Sequence, residues 1–521
     1  MTSPGTRRLH VVAGAIVGLA LLTGCAPELD PGWTPPAWED APVTVVPAPE
    51  PLNATVATNL VGERIRNDTV GVQARWMRLP GDSALGEATA RIVRDAVAAR
   101  GAAIGVAYAP AVFPQGAGLG ARSCVRGSTL RPASEILADP AIGPAAGTGT
   151  AVACDIVSAA GTVVGERIRV VTGTPEAVGA DTQTLLYADT ASGRTVTATQ
   201  LWTDAASATL WDDTVEAIRR SAGALSLVAV RPPSPEELAL VTAALAETVP
   251  AADGSLRVTL PAGFTAPELE QLGIPATNEP MTIAVPPAVS APLLTEFGAQ
   301  LVASASAPFQ APAPVAAGFE TVDCDLLPCV AMTYDDGPSD GTPAILDAAA
   351  AHHASVTFFA MGQKAAGYAA VMTRALAEGN LVENHTWSHP HLSELTRAEV
   401  AKQVGDTTSA IGLATGQAPT VFRPPYGDST PQVLSAAGMA AILWDVDTFD
   451  WQGPADDELV RRAVDQPRPG SIVLQHDIQP NTVRTVGTVY DGLADRGFTL
   501  VNLEQLFDGT LPTQGTWRSA R

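Results

Sequence analysis

From Val330 onward, short apolar runs alternate with helical segments about every 25 to 30 residues, and no other feature constrains the fold as strongly. The runs with strand character are residues 330–334, 356–359, 381–383, 421–423, 441–444, 472–474 and 499–501. Helical patterns fill the gaps, as at residues 342–352, 397–415 and 482–496. Such alternation predicts βα units around a parallel sheet or barrel, where functional residues gather at the carboxyl ends of strands.

The composition limits the protein's class and its partners. The 521 residues suggest about two or three domains, and a hydrophobic content of 46% excludes a chain that is disordered throughout. The 31 Lys and Arg residues against 54 Asp and Glu residues give a formal net charge of -23. Only two lysines occur, Lys364 and Lys402. Because nucleic-acid binding needs clustered positive charge, we expect no nucleic-acid partner.

The amino terminus has the pattern of an export signal. Arg7, Arg8 and His10 precede an apolar run at residues 11–22, which is short for a membrane-spanning helix. The run ends in Leu-Thr-Gly-Cys25, which resembles a bacterial lipobox, where the signal is removed and the cysteine is lipidated. An ordinary secretory signal with a chance cysteine is the alternative. We predict a signal peptide over residues 1–25 and an extracytoplasmic protein whose lipid anchor at Cys25 attaches it to the bacterial cell membrane.

The next segments differ in composition. Residues 26–53 are rich in proline and acidic residues, which predicts an extended tether. Residues 54–304 mix strand-like and helical runs, contain no histidine and show no catalytic motif, so we predict an α+β region of unknown role. Residues 305–320 contain further prolines among alanines and are predicted to be a linker.

Four cysteines remain after Cys25. They form two local pairs, Cys124 with Cys154 and Cys324 with Cys329, and an even number fits an oxidising compartment. A structural metal site would need Cys-x2-Cys spacing, which neither pair has. We predict two disulfides, although four cysteines formally permit three connectivities.

The polar residues that could carry chemistry follow the predicted strands. Tyr-Asp335-Asp336-Gly-Pro places two carboxylates at the end of the first strand of this half, although the same residues could form a plain solvated turn. His385 and His389 stand four residues apart, so on a helical turn both could bind one metal ion, with a surface histidine cluster as the alternative. Three further segments end later strands: Arg423-Pro-Pro-Tyr426-Gly, Asp447-Thr-Phe-Asp-Trp451 and Leu474-Gln-His476-Asp.

These five segments, in this order, resemble the NodB-homology polysaccharide deacetylases of carbohydrate esterase family four over residues 321–508. The resemblance implies an α/β fold with a distorted (β/α) barrel of about seven strands and a divalent metal, zinc first, with cobalt or another divalent ion as an alternative. The preceding α+β region resembles, with low specificity, accessory domains beside some glycan deacetylases. Residues 509–521 would be a tail.

The resemblance also assigns roles to residues. Asp336, His385 and His389 would hold the metal, Asp335 would be the general base, and Arg423 would orient that base. His476 would be the general acid that protonates the leaving amine, with Asp447 as the partner that raises its pKa. The main-chain N–H near Tyr426 would help to stabilise the oxyanion.

The aromatic residues carry weaker expectations. Leu474 and Trp451 would line the acetyl pocket, while Trp387 and Tyr426 would face sugars, although for each ring burial in the core is the alternative.

The implied activity is metal-dependent hydrolysis of N-acetyl groups on a cell-wall glycan. The predicted lipid anchor and tether favour peptidoglycan, at its N-acetylglucosamine or N-acetylmuramic acid residues. An O-acetyl esterase acting on xylan or a related polysaccharide is one alternative. A wall-binding lipoprotein with secondary catalysis is another.

Overall fold

The computed structural model describes residues 42–81, 83–113, 122–224 and 229–520. The predicted signal peptide, Cys25 and most of the tether lie outside these residues. Within the described ranges, no helix combines the length and the apolar character needed to cross a bilayer.

The described residues form nineteen strands, numbered in chain order. They are β1 Thr44–Val46, β2 Val61–Asn67, β3 Val72–Arg78, β4 Gly149–Ala160, β5 Val163–Thr174, β6 Ala177–Asp189, β7 Thr195–Thr197, β8 Thr248–Pro250, β9 Leu256–Leu260, β10 Met281–Val285, β11 Cys329–Asp335, β12 Thr357–Ala360, β13 Leu381–Asn384, β14 Val421–Phe422, β15 Ala440–Ile442, β16 Val446–Asp447, β17 Ser471–His476, β18 Thr499–Val501 and β19 Thr516–Trp517.

The α-helices of the described residues are numbered in the same way. They are α1 Ala84–Ile104, α2 Ala133–Ala138, α3 Ala206–Ser221, α4 Pro235–Leu245, α5 Pro267–Glu270, α6 Pro287–Ser290, α7 Glu296–Ser304, α8 Thr342–Ala351, α9 Gly362–Ala365, α10 Ala369–Ala377, α11 Arg397–Thr415, α12 Pro431–Ala437, α13 Asp456–Asp465, α14 Pro480–Asp495 and α15 Leu503–Leu506.

A nine-stranded parallel sheet organises the C-terminal half. Its order is β16-β17-β11-β12-β13-β14-β15-β19, and β18 pairs with the central strand β11. The predicted α/β class is confirmed, and the strands fit a curled half-barrel whose edges are β16 and β19. Beyond β19, Ser519 forms an isolated bridge with Ser471 of β17, so the predicted tail takes part in the sheet.

Two sheets lie in the N-terminal half. One has the order β2-β3-β4-β5-β6-β7 and is antiparallel except for the parallel pairing of β3 with β4. The other, β1-β10-β9-β8, is antiparallel, and its first strand comes from the predicted tether. Residues 54–304 thus contain both strands and helices, as the sequence predicts for this region.

The two halves share a hydrophobic core. One cluster of buried side chains includes Trp76 and Val152 from the N-terminal half together with Leu326 and Phe359 from the C-terminal half. All described residues belong to a single compact unit. The division into accessory domain, linker and catalytic domain stays a prediction, and the shared core indicates that the halves pack tightly.

Local signals explain where the long helix α11 begins and ends. The Thr396 side chain accepts a hydrogen bond from the N–H of Glu399, whose carboxylate accepts one from the N–H of Thr396. Gly416 ends the helix with φ 80°, which glycine adopts without steric cost. This helix packs beside the loop that follows β13, where the Gln403 side chain accepts hydrogen bonds from the N–H groups of Trp387 and Ser388 and donates one to Ser388 Oγ.

Candidate active site

The residues predicted to carry chemistry lie at the carboxyl ends of the parallel strands. Asp335 is the last residue of β11, and Asp336 follows it. His385 follows β13, Arg423 follows β14, and His476 ends β17. Because these strands are parallel, the structure brings all five side chains to one edge of the sheet.

Asp336, His385 and His389 form a cluster of three potential metal ligands. The Nε2 atoms of His385 and His389 lie 3.4 Å and 3.3 Å from Asp336 Oδ1. The expectation that the two histidines share a helical turn is wrong, because residues 385–389 form a loop in which Thr386 and His389 have φ values of 64° and 62°. The loop nevertheless points both rings at the same carboxylate.

The electrostatics of this cluster fit a bound cation. Although burial opposes the change, the neighbouring imidazoles of His385 and His389 lower the pKa of Asp336 to about 2. Burial and the neighbouring His385 lower the pKa of His389, which favours the neutral imidazole that binds metals. Asp336 Oδ1 is buried without a hydrogen-bond partner among the described residues. A buried acceptor with two imidazole nitrogens near it suits a divalent metal ion.

A contact behind the cluster fixes the orientation of one ligand. His385 Nδ1 lies 2.8 Å from the main-chain oxygen of Arg423. Since a carbonyl oxygen only accepts, Nδ1 must donate, and the lone pair of Nε2 is left facing Asp336. Metal-binding histidines are commonly held in this way.

Arg423 pairs with the predicted base, Asp335. Its Nη1 donates to Asp335 Oδ1 at 2.8 Å and to Thr333 Oγ1 at 2.8 Å. Nε and Nη2 donate to the main-chain oxygens of Ile442 and Leu443. Arg423 and Asp335 are both buried, so the guanidinium neutralises a carboxylate that would otherwise be an isolated buried charge.

His476 pairs with Asp450 and not with Asp447, which corrects the expectation from the sequence. His476 Nδ1 lies 2.8 Å from Asp450 Oδ1, and the His476 N–H donates to Asp450 Oδ2 at 2.7 Å. Asp447 instead accepts a hydrogen bond from the N–H of Phe449. Phe449 has φ 52° and leads into a 3-10 helix at Asp450–Gln452, so the backbone turns Asp450 toward the histidine.

The pairing changes the protonation of His476. Although burial opposes the change, the hydrogen bond and the charge of Asp450 raise the pKa of His476 to about 9. The imidazole is therefore protonated at neutral pH, as a general acid must be. Thr482 Oγ1 also donates to Asp450 Oδ2, at 2.6 Å.

Comparisons with known proteins match this half of the chain. The family model described as polysaccharide deacetylase matches residues 325–442. The chitooligosaccharide deacetylase of Bradyrhizobium sp. (strain ANU 289) is 39% identical over 196 residues, which cover 34% of this chain and 90% of that protein. The chain belongs to the polysaccharide deacetylase family.

Other relatives in this family are longer. The peptidoglycan-N-acetylmuramic acid deacetylase PdaC of Bacillus subtilis (strain 168) is 38% identical over 36% of this chain and 40% of its own. The peptidoglycan-N-acetylglucosamine deacetylase PgdA of Listeria monocytogenes serotype 1/2a (strain 10403S) is 35% identical over 34% of this chain and 38% of its own. The chain thus spans about two fifths of the length of these relatives.

Three aromatic side chains that the sequence assigned to substrate contacts are partly exposed in this family member. Tyr426 is 61% exposed, Trp451 53% and Trp387 38%. The Tyr426 ring stacks on His391 with centroids 3.9 Å apart and meets the edge of the metal-ligand candidate His389 at 4.7 Å. Exposed rings beside the cluster are available to a sugar, and their role as substrate contacts stays a prediction.

Leu474, in contrast, is buried. Leu474 lies on β17 two residues before His476, so the two side chains are on the same face of that strand. This position is compatible with the wall of a small acetyl pocket, which also stays a prediction.

Sequence reasoning missed three residues of the site. Asp450 stands within the motif that the sequence singled out, so only its orientation was missing. His391 follows the histidine pair closely, but its stacking on Tyr426 depends on two different loops. Thr482 lies at the start of α14, and no local pattern connects it with Asp450.

The structure confirms both predicted disulfides of this family member. Cys124 is bonded to Cys154, and Cys324 to Cys329. The second bond involves Cys329, the first residue of β11, and so lies at the end of that strand away from the cluster. Of the three possible connectivities, the protein therefore has the one that joins neighbours in sequence.

Proposed function

We propose that the protein is a metal-dependent deacetylase that hydrolyses N-acetyl groups of peptidoglycan and releases acetate. The observation that carries the proposal is the meeting of three sets of groups at one edge of the sheet. These are the ligand candidates Asp336, His385 and His389, the buried pair Asp335–Arg423, and the protonated pair His476–Asp450.

Asp336, His385 and His389 would hold a divalent metal, with zinc the first choice. Two imidazoles and one carboxylate are a ligand set found in catalytic zinc sites, which leave a position open. When bound, such an ion supplies Lewis acidity that polarises the acetyl carbonyl and makes a water molecule more acidic.

Asp335 and His476 divide the proton transfers between them. Asp335, held by Arg423, accepts a proton from the attacking water as the oxygen adds to the acetyl carbon. His476 donates its proton to the sugar nitrogen as the C–N bond breaks. Acetate and a free sugar amine result. Asp450 positions His476 and keeps it protonated until that step.

Peptidoglycan is the substrate that the relatives favour. Two of the proteins named above are a peptidoglycan-N-acetylmuramic acid deacetylase and a peptidoglycan-N-acetylglucosamine deacetylase. The signal and lipobox pattern before Cys25 supports a location at the outer face of the cell membrane, where this polymer is within reach. Lipid anchoring at Cys25 is part of the proposal.

The test is acetate release by the chain from Ala26 onward, supplied with zinc. Peptidoglycan, chitin oligomers and acetylated xylan are compared side by side. Asp335→Asn and His476→Ala remove the base and the acid. His352→Ala is the matched control, because this histidine directly follows the last residue of α8, pairs with Asp491 and lies outside the cluster.

We expect release from peptidoglycan that is lost in the first two variants and kept in His352→Ala. Release from xylan alone would replace the proposal by an O-acetyl esterase. No release from any of the three polymers by zinc-loaded protein would refute it, as would equal activity of the His476→Ala protein.

A further inference from the structure

A four-residue segment after β12 contacts the loop that carries the two adjacent aspartates. In this segment, residues 361–364, the N–H of Met361 donates to the main-chain oxygen of Gly337 at 2.9 Å. Lys364 Nζ donates to the main-chain oxygen of Asp336 at 2.7 Å. Residues 361–364 thus hold the main-chain carbonyls of Asp336, a predicted metal ligand, and of Gly337.

The same segment also contacts the loop that carries the two histidines. The N–H of Gly362 donates to the Thr386 oxygen at 3.0 Å, and the N–H of Gln363 donates to the Trp387 oxygen at 3.2 Å. The approach is close, because a Cβ atom at Gly362 would lie 2.6 Å from Trp387 Cε3. Residues 361–364 therefore join the two loops that together supply the three ligands.

Both loops need such support, because they contain residues in an unfavourable backbone conformation. Asp336 has φ 70°, Thr386 has φ 64° and His389 has φ 62°. A left-handed conformation in a residue other than glycine costs about 1–3 kcal/mol and persists only where surrounding contacts enforce it. The four hydrogen bonds from residues 361–364 are contacts of this kind.

Lys364 provides the one side-chain hydrogen bond among these four. Its ammonium group is partly buried and also interacts favourably with the buried carboxylate of Asp477. The other lysine of the chain, Lys402, has a side chain that is 75% exposed and pairs with Asp406 on the surface of α11. The two lysines thus differ in surroundings, and only Lys364 contacts the aspartate loop.

We propose that Lys364 is a positioning residue that sets the place of Asp336 relative to the two histidine ligands. The inference rests on the proposed function, in which these three residues bind a divalent metal. Without the ammonium group, the Asp336 carbonyl loses its donor and the strained peptide can relax. Asp336 Oδ1 then moves from the point that both Nε2 atoms face.

Cobalt binding to the metal-free chain tests the inference without any need for turnover. Lys364→Met removes the charge and the donor while keeping the apolar stem, and Lys364→Arg keeps both. Lys402→Met is the matched control. Affinity is measured by titration with Co²⁺ and its visible absorption, and folding by thermal unfolding of the metal-free proteins.

We expect Lys364→Met to weaken Co²⁺ binding by about tenfold, the lower end of the range for residues that hold metal ligands in place. Lys364→Arg should bind more tightly than Lys364→Met, and Lys402→Met should match the wild type. The melting temperatures of the metal-free proteins should agree. If Lys364→Met does not fold, Lys364→Gln takes its place under the same criteria.

Co²⁺ affinity of folded Lys364→Met within about twofold of the wild type would overturn the inference. So would an equal loss in Lys402→Met. Failure of the proposed function has a different signature, since the wild-type chain itself would then bind no Co²⁺. Unaltered binding in the variant beside tight binding in the wild type refutes only the role of Lys364.

Discussion

Replacing Asp450 by asparagine tests which carboxylate controls the protonation of His476. Asp450 is fully buried and accepts a hydrogen bond from His476 Nδ1 at 2.8 Å. Although burial of the imidazole acts in the opposite direction, this carboxylate, with smaller contributions from the charges of Asp335 and Asp336, raises the pKa of His476 from 6.5 to about 9. Asparagine removes the negative charge and keeps the size of the side chain, so the pKa should fall.

The expected change follows from these values. The rise from 6.5 to about 9 is about 2.5 pH units, or about 3 kcal/mol. With the Asp450 charge removed, burial lowers the pKa of His476 while only the more weakly acting charges of Asp335 and Asp336 raise it, and we expect a value near the ordinary 6.5. At pH 8 the protonated fraction then falls from about 0.9 to about 0.03, which predicts a kcat/KM lower by about thirtyfold.

The same shift affects stability. Because the folded-state pKa of His476 is raised, its stabilising contribution is complete below pH 6.5 and is lost as the pH rises through about 9. Asp450→Asn should lack this dependence. In the variant, the amide NH2 also faces donors from which Asp450 accepts hydrogen bonds, such as Thr482 Oγ1. The lost hydrogen bonds should lower the stability of the variant by about 1–3 kcal/mol.

The assay is the pH profile of kcat/KM between about pH 6 and pH 10, with thermal unfolding at each pH. Asp447→Asn is the matched control, since Asp447 accepts from the N–H of Phe449 and not from His476. A bound cation shifts all profiles in one direction, so the result is the displacement between variants. An alkaline limb of Asp450→Asn within about half a pH unit of the wild type would refute the reasoning, as would an equal displacement in Asp447→Asn.

Three further predictions concern the metal, the exposed rings and a disulfide. Treatment with a chelator should abolish acetate release, and added Zn²⁺ or Co²⁺ should restore it. His389→Ala should lower the amount of metal bound per chain. Full activity after chelation would contradict this prediction. Tyr426→Ala should raise KM for a glycan by about tenfold at an unchanged melting temperature, because a ring contact contributes about 1 kcal/mol or more. The control Phe319→Ala, at another exposed ring, should leave KM unchanged. Equal effects of both substitutions on KM would argue against a sugar contact at Tyr426. The double variant Cys124→Ser with Cys154→Ser removes the disulfide that closes a loop with a sequence separation of 30. It should reduce the free energy of unfolding by about 3 kcal/mol, measured by denaturant titration. An unchanged transition midpoint would contradict this expectation.

Elements with local signals could be predicted from the sequence. The helix Arg397–Thr415 has the bounds that the sequence predicts, and in the structure a capping box at Thr396 and a glycine at Gly416 mark its two ends. The seven predicted strands of the C-terminal half all exist, with ends displaced by a few residues at most. The strands Val446–Asp447 and Thr516–Trp517 were missed, since two residues carry no periodicity.

Pairings between distant loops were the part that sequence reasoning could not reach. Asp447 ends β16 and Asp450 follows it by three residues, so the sequence alone makes either a partner for His476. The choice depends on the backbone at Phe449, whose φ of 52° and following 3-10 turn direct Asp450 inward. The histidine pair shows the same limit, because i and i+4 spacing predicts a helical turn where the protein has a strained loop held by residues 361–364.

The sequence by itself determined the α/β class, the order of the strands in the chain, and the residue types that would meet at the carboxyl ends. These follow from hydrophobic periodicity and from the alternation of strands with helices, which are local properties. Only the tertiary structure decided which aspartate pairs with His476, where Lys364 donates its hydrogen bond, and how both halves share one core. Each of these features depends on contacts between segments far apart in the chain. Such contacts are set by burial and by the path of the backbone, which sequence spacing does not reveal.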